Sequence, residues 1–97
     1  MNSGPRTISI VVVDDHPVVR DGIRGMLERE PDMAVVGEAS SGDEALARIA
    51  AATPDVVLMD LRMPGSDGVD AIRALRAADT QWPRILVLTT YDTDTDI

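Results

Sequence analysis

The sequence has no cysteine, which excludes disulfides, thiolate metal sites and cysteine nucleophiles, and is compatible with a reducing compartment. It has no lysine either. All 9 basic residues are arginine, so chemistry that needs an ammonium group must draw it from outside this sequence. Positive charge is scarce as a whole: 17 acidic residues leave a net of -8, a balance that repels polyanions, argues against unaided binding to nucleic acid or anionic membrane, and favours cations. No apolar run approaches the roughly 18 residues of a membrane span. Met1 to Thr7 also lacks the apolar core of a secretory signal. A cytoplasmic location is therefore expected.

The residues that are present, 44% hydrophobic and 27% charged, give a globular composition. A chain of 97 residues has room for one domain, since domains typically run to about 100 to 150 residues. Ile8 to Val13 (ISIVVV) is a β-branched run of the kind buried on both faces of a sheet, and it stops at Asp14, Asp15, His16 and Pro17. Pro17 suits the first turn of a helix, along which Val19, Ile23, Met26 and Leu27 recur until Pro31. Met33 to Ala39 reads as a second strand, weakened by Gly37. Ser41-Gly-Asp-Glu44 then fits a capping box opening a short helix that buries Leu46 and Ile49 and ends near Thr53-Pro54. Asp55 to Met59 is a third apolar strand running into Asp60. A punctuated loop from Arg62 to Gly68 precedes a stripe of Val69, Ile72 and Leu75, and Arg84 to Leu88 is a fourth strand ending at Thr89 and Thr90. Alternating strands and helices with short connections predict a doubly wound α/β fold with a parallel sheet and right-handed crossovers.

In such sheets ligands bind beyond the carboxyl ends of the strands. Here those ends carry Asp14, Asp15 and Asp60, with Thr89 beside them. Three clustered carboxylates repel one another, a divalent cation relieves the repulsion, and hard oxygen donors select Mg²⁺ or Ca²⁺. Mg²⁺ is favoured because it needs only one or two carboxylates and commonly recruits phosphate oxygens. A phosphate donor is then implied, with Asp60 placed to attack phosphorus and Thr89 to hydrogen-bond a phosphoryl oxygen. Each residue taken alone has a plainer reading. Asp14 or Asp15 suits a helix N-cap and Asp60 a cap or turn acid, Thr89 a strand-end hydroxyl and His16 a turn residue. Asp67 and Asp70 read as helix-start residues, and Asp92, Asp94 and Asp96 as the acidic first turn of a helix, since the Gly and terminal Glu of a calcium loop are missing. Met26, Met33, Met59 and Met63 read as core or loop fillers.

Three segments together carry a resemblance: VVVDDHPVVRDG at 11–22, VVLMDLRMPGSDG at 56–68 and ILVLTTY at 85–91. They resemble the receiver domain of two-component response regulators, and the Asp-Asp-His-Pro variant resembles the LuxR/NarL-type transcription factors in particular. The resemblance implies a flavodoxin-like fold with strand order 2-1-3-4-5. It also implies that Asp60 accepts a phosphoryl group from the phosphohistidine of a sensor histidine kinase. Asp15 would bind Mg²⁺ directly, Asp14 mainly through water, and Arg62 through its backbone carbonyl. Thr89 would be the hydroxyl switch residue, Pro64 and Gly68 would belong to the loop after the phosphoacceptor, and Tyr91 falls where the family tunes the lifetime of the phosphoryl group.

The family pattern continues past the point where this sequence stops, at the start of a fourth helix. It adds a fifth strand bearing a lysine that contacts the phosphate, and this sequence has none. Residues 1–97 are thus expected to be an N-terminal receiver domain of order 2-1-3-4, incomplete, with the DNA-binding domain of the parent protein absent. Strand four then becomes an apolar edge, from which a homodimer or larger assembly is expected. On this reading the chain is a signalling phosphoacceptor with at most slow self-catalysed phosphorylation and dephosphorylation. Two rivals stand beside it. One is a haloacid-dehalogenase-like phosphatase, whose nucleophile belongs after strand one in an Asp-x-Asp pattern that this sequence lacks. The other is a receiver-like fragment that is not phosphorylated and acts through protein contacts.

Overall fold

The computed structural model of the protein describes residues 7–60, 67–79 and 81–88. Strands β1 (Ile8–Val13), β2 (Met33–Ala39), β3 (Val56–Asp60) and β4 (Arg84–Leu88) alternate with helices α1 (Pro17–Glu28), α2 (Gly42–Ala52) and α3 (Asp67–Ala78). The strands pair in parallel in the order β2-β1-β3-β4, so the doubly wound order is borne out. β1 and β3 lie in the interior of the sheet. Their near-continuous apolar sequences follow from that position, because side chains on both faces are covered.

The sheet separates two apolar layers. On one face Val11, Val13, Ala39, Val57 and Met59 pack with Ala45 and Ile49 of α2 and Ala71 of α3. On the other, Ile10, Val12 and Leu58 meet Ile23 and Leu27 of α1. The strand alternation thus sends odd and even residues of β1 to opposite layers.

Two expectations about helix faces need correction. In α1, Val19 is 45% and Met26 63% exposed, and only Ile23 and Leu27 reach the sheet. The helix rests on the sheet along a narrow line, so a four-residue stripe is wider than the contact. In α3, Val69 is 38% exposed, and Ala71 takes the buried place. The helix α1 ends at Glu28 with Arg29 as C-cap, shortly ahead of Pro31, in keeping with the expected stop.

Capping follows the sequence with one shift. The hydroxyl of Ser41 accepts from the Glu44 N–H at 3.1 Å, as a capping box requires. The Glu44 carboxylate, however, accepts from the backbone N–H of Ser40 at 2.6 Å and from its hydroxyl at 3.2 Å, one residue before the N-cap. Those two bonds, the backbone one first, hold the Glu44 carboxyl below its ordinary value. A carboxyl lowered in this way contributes its stabilisation at neutral pH and loses it as the pH falls through the lowered value.

Gly37 marks a bulge. The β1–β2 register runs Ile10↔Val35 and then Val11↔Gly37, so Val36 is the extra residue and is 44% exposed. A Cβ on Gly37 would stand 3.4 Å from Val11 Cγ2. A side chain there would begin at the close limit of ordinary contact with Val11, so the position favours a small residue.

At the far edge, β4 is packed on one side only among the described residues. Leu86 is 55% and Val87 41% exposed, and these neighbours point to opposite faces of the sheet. The turn into β4 is fixed by Asp79, whose carboxylate accepts from the N–H groups of Gln81 and Trp82, and by the Trp82 indole N–H donating to the Pro54 carbonyl.

Candidate functional site

The acidic residues sit where the sheet geometry brings strand ends together. Val13 of β1 pairs with Met59 of β3, so Asp14, one residue beyond Val13, lies beside Asp60, the last residue of β3. Asp14 N–H extends the ladder by donating to the Ala39 carbonyl at 3.0 Å. One ligating atom from each of Asp14, Asp15, His16 and Asp60 lies within 4.8 Å of all the others. Asp14 is 4% and Asp60 8% exposed, so two carboxylates are held almost out of water next to a third. That arrangement is unfavourable without a cation between them.

The loop carrying Asp14 and Asp15 is tightly built. Asp14 Oδ1 accepts from the His16 backbone N–H at 2.7 Å and from the His16 ring Nδ1 at 3.2 Å. His16 occupies the N-cap of α1 and makes no side-chain cap bond. The expectation that Asp14 or Asp15 caps this helix is therefore corrected: the carboxylate of Asp14 is spent on the turn, and Pro17 at the first helical position removes one of the N–H groups a cap would satisfy.

Arg20 was not singled out by sequence reasoning, yet it anchors this loop. Its Nη1 donates to the Asp14 carbonyl at 2.7 Å and its Nε to Glu38 at 3.1 Å, and Arg24 Nε lies 3.5 Å from the same Glu38 carboxylate. The available signal was Glu38 itself, the one charged residue in the apolar strand β2. A half-buried acid of that kind calls for a cationic partner on the helix above it.

The donor set fits a divalent cation. Asp15 Oδ1 is buried and accepts no hydrogen bond, although His16 Nδ1 is 2.9 Å away. A carboxylate oxygen left in this state, in a cluster of hard oxygen donors, suits Mg²⁺. Of the other expected site residues, Arg62 and Thr89 lie outside the described residues, as do Pro64, Tyr91, Asp92, Asp94 and Asp96. A groove of about 510 Å³ bordered by Ile8, Asp55, Trp82 and Arg84 opens at the amino ends of the strands, away from the carboxylates, and Asp55 there is engaged by the Ser9 N–H and hydroxyl.

The molecule is thus a doubly wound parallel α/β domain with an acidic cluster beyond the carboxyl ends of its two central strands. The profile of the response regulator receiver domain matches residues 10–97, and the chain belongs to that family. It is 41% identical over 87 residues to the transcriptional regulatory protein LiaR of Bacillus subtilis, a match covering 90% of this chain and 41% of that protein. Among solved structures, a LuxR-family response regulator from an Aurantimonas species superposes with a TM-score of 0.81 at 45% identity, covering 89% of this chain and 61% of that one. The receiver domain of NarL from Mycobacterium tuberculosis gives 0.79 at 42% identity, with 91% and 70% covered. The chain is a receiver domain of the NarL/LuxR type, a signalling module, and it spans well under half the length of the curated relatives it matches. Neither the phosphatase nor the non-phosphorylated fragment is favoured by these matches. No helix among the described residues is long and apolar enough to cross a membrane.

Proposed function

We propose that residues 1–97 act as the N-terminal receiver portion of a longer, cytoplasmic, DNA-binding regulator, with Asp60 as the phosphoacceptor. The observation that carries this is the convergence of Asp14, Asp15 and Asp60 at the ends of β1 and β3. A carboxylate oxygen of Asp60 attacks the phosphorus of a kinase phosphohistidine, the P–N bond breaks, and the imidazole leaves. Asp15 and Asp60 would hold Mg²⁺ directly, Asp14 through water and Arg62 through its carbonyl. When bound, the ion offsets charge on the transferring group. The Thr89 hydroxyl would donate a hydrogen bond to a phosphoryl oxygen. The Arg20 bond to the Asp14 carbonyl and the Asp14–His16 turn keep the carboxylates preorganised. Phosphorylation then biases a pre-existing equilibrium of the surrounding loops, with self-catalysed phosphorylation and dephosphorylation slow.

Acetyl phosphate with Mg²⁺ is expected to add one base-labile phosphoryl group to the longer protein, and chelation of Mg²⁺ to stop the reaction. Asp15→Ala should weaken Mg²⁺ binding at least about tenfold, because outer-shell partners of metal sites are alone worth about 10- to 100-fold. It should also raise the melting temperature without metal, by relieving like-charge repulsion. Labelling that is indifferent to Mg²⁺, or Mg²⁺ affinity unchanged by Asp15→Ala, overturns the reading.

The exposed Leu86 and Val87 of β4 support self-association of this chain through that edge. Light scattering at tens of micromolar should show a dimer or larger species that Leu86→Lys converts to monomer. A monodisperse wild-type monomer sinks this part of the proposal.

A further inference from the structure

The acids of the cluster sit at the ends of β1 and β3, yet the backbone that presents two of them is held from β2. We infer that Glu38, on β2 and outside the acidic cluster, is a positioning residue for phosphoryl acceptance and acts through Arg20. This rests on the reading of Asp60 as phosphoacceptor beside a Mg²⁺ site.

The backbone of Asp14 is tied at both ends. Its N–H donates to the Ala39 carbonyl at 3.0 Å, and its carbonyl accepts from Arg20 Nη1 at 2.7 Å. That carbonyl belongs to the planar peptide unit joining Asp14 to Asp15. A bond that fixes its direction therefore also fixes the unit from which the Asp15 side chain departs. The Asp14 carboxylate is set separately, by the His16 N–H at 2.7 Å. Arg20 thus governs where the next acid starts, which the turn bond of Asp14 does not.

An arginine is a poor fixture by itself, because it has several rotatable bonds and freezing them opposes the contact. Glu38 removes that freedom. Its Oε1 accepts from Arg20 Nε at 3.1 Å, and since Nε and Nη1 share one rigid plane, the second bond aims the first. Glu38 itself has a firm base: it lies across the β1–β2 ladder from Val12, one residue before the Ala39 that receives the Asp14 N–H. The pair is sheltered, with the Arg20 side chain 19% and that of Glu38 28% exposed, so water competes weakly for either bond. Arg24 Nε stands 3.5 Å from the other Glu38 oxygen and steadies the carboxylate from the solvent side. Lysine could not replace Arg20, because its single ammonium lacks the two divergent donors of the guanidinium plane.

The test is labelling of the longer protein by acetyl phosphate and Mg²⁺, at a temperature where circular dichroism shows each variant fully folded, together with Mg²⁺ affinity by calorimetry. Glu38→Ala should lower the labelling rate constant and weaken Mg²⁺ binding by about tenfold each, the low end of what partners behind a metal site contribute. Glu38→Gln keeps an oxygen for Nε and should recover most of both. Arg20→Lys keeps the charge without the fork and should fall as far as Glu38→Ala. The double variant Arg20→Lys/Glu38→Ala should lose no more than the larger single loss, because the two side chains act as a unit. Arg24→Gln leaves the bond to Asp14 in place and should stay within about twofold of wild type, as expected for a partly exposed ion pair. A purely structural role gives another pattern, in which Glu38→Ala melts earlier yet labels at the wild-type rate with unchanged Mg²⁺ affinity. That result overturns the inference, as do losses that multiply in the double variant. Should Glu38→Ala not fold, the inference requires Arg20→Lys to be slowed while Glu38→Gln stays near wild type, and wild-type rates in both overturn it. Failure of the underlying reading has a separate signature, a base-labile label that survives Asp60→Ala.

Discussion

Asp60→Ala is expected to abolish acyl-phosphate formation: the base-labile label acquired by the longer protein from acetyl phosphate and Mg²⁺ should fall to background, and Asp60→Asn, which keeps the shape of the side chain, should fall equally. The reason is positional. Asp60 terminates an interior strand, is 8% exposed, and is the one carboxylate of the cluster fixed by sheet pairing itself, through its register with Leu88. Asp14 is committed to the His16 turn and Asp15 sits on the loop, so neither is placed to substitute as nucleophile. Asp15→Ala should slow labelling without moving it to another residue. A base-labile label that persists in Asp60→Ala refutes the assignment, and peptide mapping would then identify the true acceptor.

Ile49→Ala should carry the largest stability penalty among conservative truncations, about 2 to 5 kcal/mol, the range for emptying a buried aliphatic position. Ile49 is 1% exposed and lies in the layer formed by Val11, Val13, Val57 and Met59 beneath α2 and α3. A domain of this size is stable by roughly 5 to 15 kcal/mol in all, so the change removes much of what holds the fold. Urea denaturation measures it. Val18→Ala on α1 is the control: Val18 is 84% exposed, and its truncation should shift stability by no more than about 0.5 kcal/mol. A loss below about 1 kcal/mol at Ile49 would mean that α2 does not seal this layer as described.

Much of this architecture was legible because strand burial leaves an unmistakable trace. ISIVVV and VVLM read as interior strands, and the acids at their ends converge because parallel strands all deliver their carboxyl ends to one rim. What the sequence concealed depends on distance and register. The contact of α1 with the sheet through Ile23 and Leu27 alone is set by how the helix crosses, which periodicity does not encode. The reciprocal capping bond moved from Ser41 to Ser40, because the Glu44 side chain reaches whichever N–H the preceding turn presents. The role of Arg20 was hidden for the same reason, since it joins Asp14 and Glu38, which are neighbours only after β1, β2 and α1 are assembled.

The bulge at Val36 has an effect well beyond its own strand. Val35 faces the layer under α1, and strict alternation would send residue 39 to that same side. Instead Ala39 lies in the opposite layer, so Glu38 emerges beneath α1, where it grips Arg20 and Arg24. One surplus residue has reversed the phase of the strand, like a skipped tooth on a gear. The clamp on the Asp14 carbonyl, and with it the poise of the acidic loop, is inherited from that single slip.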